Sequence, residues 1–204
     1  ERIYRINFFL SEALPKFGED MSGSQNTISG SVATIKHYIG EMYFLRAYEY
    51  FKKLQLFGDF PIINQPLADE MEALREASKR FPRNEVARFI ISDLDKAYAY
   101  MSDVDMATTR INKDVAMLVK SRVALFEATW LQNFKGTAFV PGGEGWPGAS
   151  LHNNYQYPSG NIDNEVKYFL EQAVEASKLV ADKYKGSLTE NTGCLLYTSD
   201  AADE

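Results

Sequence analysis

Apolar residues recur along this chain at intervals of three and four, the repeat of one face of an α-helix. Ile3, Ile6, Leu10 and Leu14 mark a first segment over residues 1–17. Glu1 enters this pattern with no capping residue before it, so the chain reads as beginning inside a longer protein. A second segment, 31–57, carries Val32, Ile35, Ile39, Met42, Tyr43, Ala47, Tyr50, Phe51 and Leu54 on one face. Gly58 stands where a C-terminal cap belongs, and Pro61 forbids continuation. A third, 82–101, has Pro82 at its start and the stripe Val86, Phe89, Ile90, Leu94, Ala97 and Met101. A fourth, 112–133, opens on Asn112 as N-cap with Asp114 in the first turn. Its stripe is Val115, Leu118, Val119, Arg122 or Val123, Phe126 and Trp130. A fifth, 163–185, carries Val166, Phe169, Leu170, Ala173, Val174, Ser177, Val180 and Tyr184, and Gly186 ends it.

No alternating strand pattern of any length interrupts these segments, so the fold class is all-α. Gly40 costs about 1 kcal/mol against Ala inside a helix, and its place in the second segment implies a close helix crossing. Long amphipathic helices with small contact residues (Ala116, Ala124, Ala128) predict antiparallel pairs stacked as an α-α solenoid. An irregular bundle is the alternative. Phe51, Leu45, Leu94, Phe126 and Trp130 are expected among the most buried side chains.

Two connections are long. Residues 58–81 hold Pro61, Pro66 and a charged run, ADEMEALREASKR, able to form a short helix. Residues 134–162 hold 6 of the 13 Gly and 3 of the 7 Pro, together with Phe134, Phe139, Trp146, Tyr155 and Tyr157. Loops of that length are uncommon unless functional or disordered, and its aromatic content predicts an ordered one.

Composition narrows the function. The 204 residues carry a net charge of -6, which argues against a nucleic-acid partner. No run of about 18 apolar residues exists to span a bilayer. The last eleven residues, CLLYTSDAADE, resemble the in-frame translation of a sequencing adapter. On that reading residues 1–193 are one piece of a single helical-repeat domain and 194–204 a non-native tail. The tail's Asp200, Asp203 and Glu204 account for half of the net charge, and its Cys194 is the chain's one cysteine.

No phosphate-cradling glycine loop, HExxH, CxxC or GxSxG is present, and no cofactor or metal is expected. The two histidines are isolated: His37 reads as a surface or half-buried helix residue, and His152 lies in the long loop. Asp93 and Asp95 are two apart on a helix and do not face each other, so they make no acid–base pair. Glu41 and Arg46 read as structural, Asp59 as turn chemistry. Trp146, Tyr155 and Tyr157, flanked by His152, Asn153, Asn154 and Gln156, form the candidate ligand site. A sugar offers a C–H face to an aromatic ring and hydroxyls to fixed amides. The same rings also suit a second role, pinning the loop to the helices.

From Gly40 to Pro61 the sequence reads GEMYFLRAYEYFKKLQLFGDFP. This resembles the signature of the SusD/RagB family of nutrient-uptake outer-membrane lipoproteins, a Gly-Glu-x-x-Phe-Leu-Arg-Ala run ending in a Phe/Tyr-Gly-x-x-Pro turn. RFPRNEVARFIISDLDKAYAYM resembles that family's Ile-x-x-Asp-Leu-x-x-Ala helix. INKDVAMLVKSRVALFEATW resembles its Ala-x-x-Leu-x-x-Arg-Val-x-Leu helix, with Val119 in place of the Leu. The resemblance covers about residues 35–131. It implies tetratricopeptide-like helix pairs and a non-enzymatic surface lipoprotein of the outer membrane. Such a protein captures oligosaccharide, or in some relatives peptide, and delivers it to a SusC-like TonB-dependent barrel. The signal peptide and lipidated cysteine, the sole membrane attachment, would lie outside this sequence. The motifs fix no glycan-contact residue. The rival readings are a tetratricopeptide adaptor for protein peptides and a helical-barrel glycosidase, for which the loop region offers only Glu144 and Asp163.

Overall fold

The computed structural model describes residues 1–102 and 109–187. The expectation about residues 194–204 lies outside them. Six α-helices form: α1 (Arg2–Phe17), α2 (Val32–Phe57), α3 (Met71–Ala77), α4 (Arg83–Tyr100), α5 (Lys113–Asn133) and α6 (Ile162–Tyr184). The five long helices fall within one residue of the expected ends, and α3 forms in the charged run. Among the described residues the one β-type pairing is the bridge of Phe60 with Phe81, which zips together the ends of the α2–α4 connection.

The long helices stack in chain order, each antiparallel to the next. Arg2 pairs with Glu49 and Asn7 with Arg46 across α1 and α2. Arg46 meets Asp93 across α2 and α4. Arg83 meets Glu127 and Lys120 meets Asp95 across α4 and α5. Lys183 meets Asp114 across α5 and α6. The expected two pairs, α2 with α4 and α5 with α6, are both present inside this series. Asn112 caps α5 by accepting from Val115 N–H at 3.0 Å, and Asn161 caps α6 in the same way.

At Gly40 helix α2 lies tightly against the C-terminal end of α4. A Cβ there would lie 2.9 Å from the Met101 amide nitrogen and 3.0 Å from the Ala97 carbonyl oxygen. Those contacts are with backbone, which cannot rotate away. Gly40→Ala should therefore lower stability by about 1–3 kcal/mol, outweighing the roughly 1 kcal/mol gain in helix propensity. Thermal unfolding by circular dichroism checks this, and an unchanged or raised midpoint would refute it.

Arg46 organises the core beneath that crossing. Its Nε and Nη2 donate to the two Asp93 oxygens at 2.7 and 2.8 Å, and its Nη1 donates to Asn7 Oδ1 and Asn64 O. Asn7 and Tyr50 both donate to Ile63 O. The network ties α1, α2, α4 and the 58–81 connection together, so Arg46 is structural and Asp93 belongs to an ion pair. Glu41 accepts from Arg110, again a structural role.

Two stripes keep part of their expected membership, Val123 on α5 and Phe169, Ala173 and Val180 on α6, and lose the rest. On α5 the buried side chains include Ala116, Lys120, Val123, Ala124, Glu127, Ala128 and Leu131, while Val115 and Leu118 are exposed. On α6 they are Glu165, Phe169, Ala173, Ala176 and Val180, while Leu170 and Val174 are exposed. Small residues let neighbouring helices approach, and ion pairs make the buried charges tolerable. Leu94 and Phe51 are buried as expected, whereas Leu45, Phe126 and Trp130 are only partly buried. His37, expected at or near the surface, is fully buried. Its Nδ1 accepts from Ser102 N–H and its Nε2 donates to Ile111 O, so both ring nitrogens are satisfied by backbone.

Candidate functional site

The 134–162 loop folds back over the α2–α4 junction and is held there by a small set of bonds. Trp130 Nε1 donates to Phe139 O at 3.1 Å, and within the loop Tyr157 donates its hydroxyl proton to Pro141 O at 2.7 Å. Trp146 Nε1 donates to Asp59 Oδ2 at 2.7 Å. Asp59 Oδ1 accepts from Arg83 N–H at 2.9 Å and so caps α4. One carboxylate thereby fixes both the loop and the start of a helix. Burial pushes the Asp59 carboxyl above its ordinary range, against the pull of the Trp146 indole.

His152 Nε2 donates to Arg80 O at 2.7 Å. The Tyr155 hydroxyl and the Asn84 amide exchange hydrogen bonds at 2.9 and 3.1 Å. Behind them Glu165, fully buried, accepts from Arg88, Asn84 and Ser159 N–H. Burial alone would raise its pKa, but these donors hold it below the ordinary carboxylate value. Burial pushes the Tyr155 and Tyr157 hydroxyls well up.

The sequence-predicted residues are partly brought together. Trp146, His152, Tyr155 and Tyr157 form one chain of rings, with centroids 5.9 Å (Trp146–His152), 5.6 Å (Trp146–Tyr155) and 5.2 Å (Tyr155–Tyr157) apart. Trp146 is 4% exposed, and the other three are half-buried. Asn153 is exposed.

Next to the stack lies a cleft of about 390 Å³, bounded by residues 54–59, the start of α4 and the loop. Trp146 shows its free edge in one wall. Exposed Leu56, Phe57, Phe139 and Leu151 surround the mouth, and Asp59, Arg80 and Arg83 supply charge. Of the predicted site residues only Trp146 lines it. Phe57, Arg80, Arg83 and Phe139 also line it and were not among the candidate site residues read from sequence. A second depression of about 380 Å³ runs along α4 past Arg88 and Asp95, whose charges are already paired with Glu165 and Lys120. Among the described residues no group of three His, Cys, Asp or Glu is placed to hold a metal, and no helix is long and apolar enough to cross a membrane.

Residues 6–125 match the sequence profile of a SusD-like family described as "starch-binding associating with outer membrane". The chain belongs to the SusD-like family. The match contains all three motifs and stops before the long loop. The SusD-like protein P2 of Formosa agariphila is 30% identical over 100 residues, covering 49% of this chain and 19% of that protein. A SusD-like carbohydrate binding protein from Bacteroides vulgatus ATCC 8482 aligns over 89% of this chain and 29% of its own, at 18% identity and a TM-score of 0.51. It shares the helical fold. A SusD-like protein from Bacteroides fragilis NCTC 9343 aligns at 25% identity over 65% of this chain and 23% of its own, with a TM-score of 0.48. The chain thus spans about a fifth of the curated SusD-like relative's length.

Proposed function

We propose that the protein carrying this chain is a surface glycan-binding lipoprotein of the outer membrane that hands oligosaccharide to a SusC-like TonB-dependent barrel without cleaving it. The observation that carries the reading is the cleft: exposed rings at its mouth, beside a loop locked to a helical scaffold, in a family described as starch-binding. Stacking surface and fixed donors are what a sugar requires, and a loop held in place before binding avoids the ordering cost of closing on the ligand. In this reading Trp146 contributes its edge to the cleft, while His152, Tyr155 and Tyr157 hold the wall behind it. Asn153 supplies an exposed amide close by in sequence. Family membership favours uptake over an intracellular peptide adaptor.

Calorimetry of the intact protein against a panel of oligosaccharides tests the binding, with chromatography of the mixture afterwards for shortened products. Saturable binding with the glycan recovered whole is the expected result. Shortened products would overturn the non-enzymatic part, and absence of binding across the panel the whole of it. Co-purification with a TonB-dependent barrel tests the delivery step.

A further inference from the structure

The polar groups of the cleft are unevenly spent. Asp59 is its one anion, and both oxygens are occupied, by Arg83 N–H and by the Trp146 indole. The Trp130 indole is spent on Phe139 O. Gln55 at the rim is neutral.

The two cations differ in kind. Arg83 is 3% exposed; its Nε and Nη2 grip Glu127 at 2.9–3.2 Å, and its guanidinium lies 4.1 Å from the Trp130 ring centroid. Nη1 makes no hydrogen bond within the described residues. No fully enclosed side-chain nitrogen or oxygen among them is left without a partner, so this free edge reaches the cleft. It lies beside Gly58, where a Cβ would stand 3.5 Å from it and where φ is +66°, a conformation that favours glycine. Arg80 stands exposed at the mouth with no ion-pair partner among the described residues, its carbonyl held by His152. Asp59 balances the charge of Arg80 within the cleft, but both its oxygens are taken by N–H donors, so the open groups left for a ligand are a rigid buried donor edge on Arg83 and the exposed guanidinium of Arg80. Glu127 is set against Arg83, so Arg83 fixes position, and the exposed Arg80 supplies the second, salt-sensitive donor.

We propose that this cleft takes an acidic sugar, its carboxylate or sulfate group on Arg83 Nη1 and Arg80 and its C–H face on Phe57 and Phe139. The proposal rests on the glycan-binding reading above and names the ligand class for that site. Charge-assisted hydrogen bonds to an oxyanion are stronger than those to a hydroxyl, and an exposed counter-charge acts in a salt-dependent way.

The test is calorimetry of the intact protein with three oligosaccharides of equal length: an oligogalacturonide, a sulfated galactan fragment and a malto-oligosaccharide. An acidic glycan should bind about tenfold tighter than the neutral one at low salt, and the gap should narrow at high salt. Whichever acid binds tighter assigns carboxylate or sulfate. Arg80→Gln should remove most of the preference while leaving the melting temperature in place, since the side chain holds no structural contact. Arg83→Lys would orphan part of Glu127 and can fail to fold, so Arg80→Gln is the deciding variant. Equal or tighter binding of the neutral glycan, or an unchanged ratio in Arg80→Gln, overturns the acidic assignment and leaves the glycan reading standing. No binding to any of the three sinks both.

Discussion

Replacing Asp93 with alanine should lower the free energy of unfolding by about 3–5 kcal/mol, the range for removing one partner of a buried ion pair. Asp93 is fully buried, and its two oxygens take the Nε and Nη2 protons of Arg46. Burial holds its pKa above the ordinary value even with Arg46 against it, so the ion pair as a whole is not a large stabiliser. The cost of the single variant comes from stranding the guanidinium among Tyr43, Phe89 and Asn7. For that reason Arg46→Met combined with Asp93→Leu should recover part of the loss. Denaturant unfolding of the single and double variants measures both quantities. A single-variant cost under about 1 kcal/mol would mean that water reaches the site and the network is not closed.

Trp146→Ala should cost about 3–5 kcal/mol, the scale for emptying a buried tryptophan site, with the damage concentrated in residues 134–162. The ring is 4% exposed, stacks on His152 and donates to Asp59. Its loss removes a wall of the cleft, a clamp on the loop and a partner of the carboxylate that caps α4. Trp146→Phe keeps most of the ring and drops the N–H, so it should cost about 1–3 kcal/mol, the penalty of leaving Asp59 Oδ2 unbonded. Hydrogen exchange should show loop amides losing protection in the alanine variant while α2 and α4 keep theirs. Weakened glycan binding with unchanged stability and exchange would instead make Trp146 a direct ligand contact and nothing more.

The helices were legible in the sequence because their ends are written in local chemistry: Asn112 as a cap, Gly58 with Pro61 as a stop, Pro82 as a start. The buried faces of α5 and α6 were legible only in part: Phe169, Ala173, Val180 and the small contact residues Ala116, Ala124 and Ala128 are buried as read, whereas the buried charges were missed. Lys120, Glu127 and Glu165 sit on those faces, and a reading that assigns charge to solvent rotates the stripe away from them. Their partners Asp95, Arg83 and Arg88 lie 25 to 77 residues away in sequence, beyond any local pattern. His37 was misplaced for the same reason, since its two partners are backbone groups 65 and 74 residues off. The loop's rings were recognisable as a group from their density between glycines and prolines. That they pin the loop to the helices was one of the two roles open from the sequence, and Trp146 takes it; its acceptor, Asp59, went unrecognised because it looked like an ordinary turn residue. The cleft was invisible for a related reason: Phe57 and Phe139 belong to separate stretches of chain that only the folded loop brings together.

The way the loop is fastened separates the atoms that hold it from the atoms it shows to solvent. Two of its ties, at Phe139 and Arg80, and the internal brace at Pro141 end on main-chain carbonyls, which any residue supplies at those positions. The side chains facing outward, Phe139, Glu144, Leu151 and Asn153 among them, take no part in holding the helices together. Substitutions there alter what the surface recognises at little cost to the scaffold. Retention of the frame and change of the outer surface are in this way assigned to different atoms of the same segment.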